Sequence, residues 1–179
     1  MKITLAMVMS IDGKTTRGND SKIYTWTSRE DQAHFRTLIS LSSAIIMGRQ
    51  TFLASKDIIM SRLTSKTLRL VVTNHPEKYA NLVVPGQLEF TQNQPKEIID
   101  VLKSRGYTKA LLVGGHRLND TFFKSQLVDD LILTVEPNIF GLGNSLILGK
   151  SLLDITFKLI SHKTLNAQGT LLLHYQIIK

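Results

Sequence analysis

The sequence predicts an α/β domain: a mostly parallel central sheet covered by helices on both faces, with an antiparallel hairpin at its edge. Three observations predict this. Apolar runs of strand length alternate with segments of helical periodicity through most of the chain. Two of those runs, 44–47 and 110–113, stop at a glycine and pass directly into a helix-like segment. Near the C-terminus, residues 157–163 and 171–178 read as two strands turning around Asn166 and Gly169.

Taken in order, residues 2–10 form a first strand, and Ile11, Asp12, Gly13 and Lys14 open a polar loop that runs to Asp20. Loops of that length in compact domains are often functional. A helix follows with Thr27 or Ser28 as N-cap, Glu30 and Asp31 suiting its positive end, and Ala33, Phe35, Leu38, Ile39 and Leu41 as its apolar face. The run Ala44, Ile45, Ile46, Met47 then stops at Gly48, and Arg49, Gln50 and Thr51 precede Phe52. A strand feeding a helix start in this way aims free backbone N–H groups and partial positive charge at whatever sits above it, and a cation and a hydroxyl complete a phosphate site. Close packing alone also explains such a glycine.

A basic connector (Lys56, Arg62, Lys66, Arg69) overlaps a strand at 68–73, which closes at Asn74, His75 and Pro76; residues 82–85 and 87–91 are further short strands. Pro95 opens a helix with Ile98, Ile99 and Leu102 inward and Gly106 at its close. The run 110–113 meets Gly114 and Gly115 and then a helix with Leu118, Phe122 and Phe123 inward, which repeats the earlier junction. Residues 131–137 form a strand and 139–144 a glycine-rich turn. In such sheets ligands bind beyond the C-terminal ends of the strands. Both glycine junctions lie there.

Composition narrows the function classes. A chain of 179 residues, 42% hydrophobic and 20% charged, suits one globular domain spanning 1–179. The absence of cysteine excludes thiol catalysis, disulfides and Cys-ligated metal, and the five histidines lack metal-ligand spacing, so no metal is expected. No apolar stretch approaches 18 residues, so no membrane partner is expected and the location is read as cytoplasmic. The net charge is +8, with eleven Lys/Arg against five Asp/Glu in residues 1–70. Lacking basic runs and nucleic-acid motifs, this balance fits a small polyanionic ligand better than nucleic acid. Neither GxGxxG nor a P-loop is present.

As a set, several motifs are similar to those of one superfamily. GRQTF after an apolar strand, Thr73-Asn74 closing the next, and Val113-Gly114-Gly115 opening a helix resemble the cofactor signature of the dihydrofolate reductase superfamily. The stretches SIDGK, WTS and LVDDLILTVEPNIFGLG resemble its riboflavin-pathway branch, the reductase domain of RibD. The resemblance implies a dihydrofolate reductase-like three-layer fold, NADPH as cofactor, hydride transfer to a C=N or C=O carbon of a pyrimidine or pterin-type substrate, and a homodimer. It implies Gly48, Arg49, Thr51 and Gly114-Gly115 at the cofactor phosphates, with Arg49 suited to the 2′-phosphate and Thr73 and Asn74 near it, and a cis peptide between the two glycines. Arg117 is a further phosphate ligand or merely solvated.

By the same resemblance Asp31, four before Phe35, is the acid/base candidate, or else an acid that only complements its helix. Asp12, a second catalytic candidate, and Lys14 border the nicotinamide and the substrate, or else form a plain turn. Thr27 and Ser28 bind substrate or cap the helix, and Glu136 is a ligand or a surface acid. Arg62 matches a cation of the branch's phosphoribosyl pocket, whereas Ile39, Ser55 and Val113 depart from it. The expected reaction is reduction of the ribosylamino-pyrimidine intermediate of riboflavin synthesis. Dihydrofolate reduction is the alternative enzyme reading, and a basic nucleotide- or nucleic-acid-binding protein the alternative class.

Overall fold

The computed structural model describes residues 1–20 and 22–178. Eight strands join one sheet: β1 (Lys2–Ser10), β2 (Ala44–Gly48), β3 (Leu68–Val72), β4 (Leu88–Thr91), β5 (Lys109–Leu112), β6 (Asp130–Glu136), β7 (Phe157–Thr164) and β8 (Leu171–Ile177). Their spatial order is β4-β3-β2-β5-β1-β6-β8-β7. Strands β4 through β6 run parallel, and the β7/β8 hairpin joins antiparallel through β8 on β6. The helices are α1 (Arg29–Ser40), α2 (Arg49–Ala54), α3 (Lys56–Met60), α4 (Pro95–Ser104) and α5 (His116–Lys124).

The strands are apolar on both faces because both are covered. Ile3, Leu5, Ala44, Ile46, Leu70, Ala110 and Leu112 pack on one side with Ile98 and Leu102 of α4 and Phe122 and Phe123 of α5. Their alternates Ala6, Ile45, Met47, Val71 and Leu111 pack on the other with Phe52 of α2 and Phe35, Leu38 and Ile39 of α1. This period-two split makes three layers. Gly106, at φ +83°, follows α4, where the Tyr107 N–H returns to the Leu102 carbonyl and ends the helix.

Three expectations are corrected. Residues 82–85 are not a strand: Pro76 starts a 3-10 segment, Pro76–Leu82, and Val84 makes a single bridge to Leu88 before β4. Ala33 and Leu41 do not belong to the covered face of α1; they fall off the stripe of Phe35, Leu38 and Ile39 and are exposed, while Asp31 is buried on it. Arg69 is not a connector cation, since it lies buried in β3 with its guanidinium on the Arg62 and Thr67 carbonyls.

Candidate functional site

The parallel strands end side by side, and five consecutive ends in the order β3, β2, β5, β1, β6 gather most of the candidate residues. On the β2/β5 pair the two glycine junctions touch. The Gly48 N–H donates to the Gly114 carbonyl at 2.8 Å, and the Gly114–Gly115 peptide is cis, as expected. A Cβ on Gly48 would come 3.4 Å from the Gly115 nitrogen, and one on Gly115 would meet the Thr51 hydroxyl at 3.5 Å. Gly114, at φ +92°, lies against Met7 of β1. Bare backbone from both junctions and the Thr51 hydroxyl therefore share one small patch. Gly115 caps α5, whose first N–H groups have no intrahelical acceptor.

Arg49 opens α2 and Arg117 stands in the first turn of α5; both are exposed, and neither guanidinium has a hydrogen-bond or ion-pair partner among the described residues. Burial, and then the Arg117 charge, hold the neighbouring His116 below its ordinary range. Beside β2, buried Thr73 follows β3 and accepts the His75 N–H at 3.3 Å, leaving Asn74 exposed.

On the β1/β6 side the chemistry is acidic. Ser28 caps α1 by accepting the Asp31 N–H at 3.2 Å, and the Asp31 carboxyl meets the Thr134 hydroxyl of β6. Only 7% of Asp31 is exposed. Burial pushes its carboxyl up from 3.8 to about 6, the Thr134 hydroxyl beside it opposes this, and the Glu136 charge adds to it.

Glu136, at the end of β6, is not a surface acid. It is 2% exposed, and its carboxylate accepts the Ser28 N–H at 2.7 Å and the Thr170 hydroxyl at 2.7 Å. Thr27 is buried, with its hydroxyl and carbonyl taking the Gln32 amide. Trp26, Thr27, Ser28, Glu136, Asn138 and Thr170 contribute to a groove of about 460 Å³ beside these groups.

Asp12 holds two loops together. Its carboxylate accepts the Ser10 hydroxyl at 2.5 Å, the Phe140 N–H at 3.2 Å and the Gly141 N–H at 2.7 Å. The Ser10 bond above all holds this exposed carboxyl below its usual range, with the two amides adding to the effect. Lys14 bridges Ser145 through the main chain, the Asn144 N–H donates to the Thr16 hydroxyl, and Phe140 meets Trp26 edge-on at 5.0 Å.

Arg62 is the candidate that the fold does not bring to this row. It is exposed in the segment after α3, and its carbonyl bonds Arg69 at the beginning of β3, the opposite end of that strand from Thr73. Residue reasoning missed Thr134, Thr170, Ser10 and Thr16. Thr134 has a readable signal, a lone hydroxyl inside the apolar run Leu131, Ile132, Leu133, Thr134, Val135. Thr170 has none, because its partner is 34 residues away.

The RibD C-terminal domain profile matches residues 1–171. The chain belongs to the RibD C-terminal domain family. Solved structures share its dihydrofolate reductase-like fold. A candidate riboflavin biosynthesis protein from Shewanella sp. PV-4 superposes with TM-score 0.79 at 19% identity, covering 100% of both chains. A pyrimidine reductase-like protein from Corynebacterium diphtheriae gives 0.75 at 16%, over 99% of this chain and 92% of that one. The diaminohydroxyphosphoribosylaminopyrimidine deaminase/5-amino-6-(5-phosphoribosylamino)uracil reductase of Thermotoga maritima gives 0.78 at 17%, but this RibD C-terminal domain chain covers only 56% of it. No functionally curated protein matches by sequence. Among the described residues no group of three His, Asp or Glu could hold a metal ion, and no helix is long and apolar enough to cross a membrane.

Proposed function

We propose that this RibD C-terminal domain protein is an NADPH-dependent reductase acting on a pyrimidine or pterin-type heterocycle, with 5-amino-6-(5-phosphoribosylamino)uracil as the first substrate to test. One observation supports this most. One row of strand ends carries two touching glycine junctions on β2 and β5 and, toward β6, a buried carboxyl whose proton affinity burial raises to about 6. The residues fit a dinucleotide: bare backbone at Gly48, Gly114 and Gly115 admits close approach, Thr51 offers a hydroxyl, and Arg49 and Arg117 are uncommitted cations. Thr73 and Asn74, one strand over, would complete the phosphate-binding set. When bound, NADPH would supply the hydride.

The chain's own residues do the rest. Asp31 gives a proton to the heterocycle, and a carboxyl titrating near 6 still carries one in part of the molecules at neutral pH, which suits a general acid. The Thr134 hydroxyl orients it. Asp12, with its lowered proton affinity, serves by pinning the two loops over the cleft rather than by giving up a proton, and Lys14, Thr27 and Ser28 border the substrate. The exposed Leu159, Ile160 and Leu171 of the outer hairpin support a homodimer.

Dihydrofolate is the second substrate to test. A buried carboxyl can grip an amino-pteridine edge through two hydrogen bonds, and the remote position of Arg62 leaves a ribose phosphate without that cation. The decisive experiment follows NADPH oxidation with each substrate in turn. Oxidation with the phosphoribosylamino pyrimidine supports the first choice and oxidation with dihydrofolate the second. No oxidation with either, in protein shown to bind NADPH, rejects both.

A further inference from the structure

Glu136 is a buried carboxylate whose two hydrogen-bond partners are both neutral. Such a group is expensive to keep in a fold, and a Gln would satisfy one donor without the charge. Its surroundings form a continuous chain of contacts. Asn166 in the hairpin turn bonds the Thr170 hydroxyl at 3.0 Å and accepts the Thr170 N–H at 3.1 Å. Thr170 donates to Glu136, Glu136 accepts the Ser28 N–H, and Ser28 accepts the Asp31 N–H. Thr134 and Glu136 stand two apart on β6, so their side chains share the face that α1 covers.

We propose that Glu136 and Thr170 are positioning residues for Asp31: anchored by the hairpin hydroxyl and the Ser28 amide, the Glu136 carboxylate fixes the first turn of α1 over β6 and with it the Asp31 side chain. This deepens the reductase reading, on which the use of Asp31 as an acid rests, while the chain from Thr170 through Glu136 to the first turn of α1 stands on the hydrogen bonds alone. Few other charges compete for the role. From β6 the groups facing Asp31 are Thr134 and Glu136. On α1 itself Glu30 is turned to Asn166 at 3.1 Å, and His34, one turn on, faces Lys163 of β7. The like charge of Glu136 acts with burial to favour the protonated acid. The hairpin thereby reaches the site through one hydroxyl, without touching substrate.

The test reads Asp31 directly by carboxyl ¹³C NMR across the pH range in protein labelled at aspartate, its signal identified by loss in Asp31→Asn. In Glu136→Gln the Asp31 midpoint falls but stays above the ordinary carboxylate range, since burial remains and only the smaller, electrostatic part is removed. Thr170→Val moves it in the same direction and quickens amide exchange at Ser28, and Thr170→Ser restores both. An Asp31 midpoint that stays at the wild-type value in folded Glu136→Gln and Thr170→Val overturns the proposal. Should Glu136→Gln fail to fold, the Thr170→Val and Thr170→Ser pair decides alone. NADPH oxidation, measured separately on the wild type, tests the reductase reading, and its absence leaves the NMR result intact.

Discussion

Asp31→Asn should make this protein more stable at alkaline pH while removing turnover. The carboxyl lies 7% exposed on the covered stripe of α1, with its proton affinity raised from 3.8 to about 6 in the folded state. A carboxyl whose folded-state value lies above the unfolded one contributes stability that is fully present below the unfolded value. That contribution is lost as pH rises through the folded value, because the native state must then release a proton it holds more tightly than the unfolded chain. Between 3.8 and about 6 the gap is about two units, or about 3 kcal/mol once both states are ionised. Asparagine keeps the shape and never ionises. Relative to wild type, Asp31→Asn should therefore gain about 2.5 kcal/mol between pH 4 and pH 8, with more than half of the gain above pH 5. Urea unfolding of both proteins at pH 4, 5, 6, 7 and 8 measures this, since titration of all other groups cancels in the difference to first order. A difference that stays constant from pH 4 to pH 8 would refute the reasoning: Asp31 would then titrate like an exposed carboxyl, and its claim to be the proton source would go with it.

Two further perturbations test the other parts of the cleft. Arg49→Ala should weaken NADPH binding by about tenfold or more and NADH binding much less, with the gap between the cofactors shrinking as salt is added; equal losses in a fluorescence titration would take the 2′-phosphate away from Arg49. Gly143→Ala should separate the two loops pinned by Asp12, because Gly143 sits at φ +148° and a Cβ there would come 2.0 Å from the Thr16 carbonyl oxygen. A loss of about 1–3 kcal/mol is expected from such a forced backbone, together with faster amide exchange at Thr15 and Gly18, whose N–H groups donate to Asn144 and Leu142. Unchanged melting and exchange would show that the loops do not depend on that contact.

What the sequence discloses about this fold, and what it conceals, divides by the range of the interactions involved. The β2–Gly48–Arg49 and β5–Gly114–Gly115 junctions are legible because each is local: an apolar run, a residue without a side chain and a helix start within ten positions. Their contact, the Gly48 N–H on the Gly114 carbonyl, needs β2 beside β5, and that follows from the strand order alone. The buried face of α1 is only half legible. Its periodicity points to Phe35, Leu38 and Ile39, but a polar residue on the same stripe reads as a helix-start acid until β6 is seen beneath it. Arg62 stands apart for the complementary reason: its likeness to a pocket cation is local, whereas the path of α2 and α3 back to the start of β3, which sets it away from the row of strand ends, is not.

Glu136 is the hardest of these to read, since a carboxylate at a strand end beside a cleft looks like a ligand in sequence. Its two partners come from positions 108 residues before it and 34 after it. Only a sheet in which β8 runs antiparallel along β6, while α1 starts over the same end, can bring Ser28 and Thr170 to one carboxylate. The antiparallel hairpin thus has a function that its place at the edge of the sheet conceals. It supplies the hydroxyl that lets a charge stay buried two residues from the Thr134 side chain, and with that charge in place Asp31 gives up its proton later than it would beside a neutral residue.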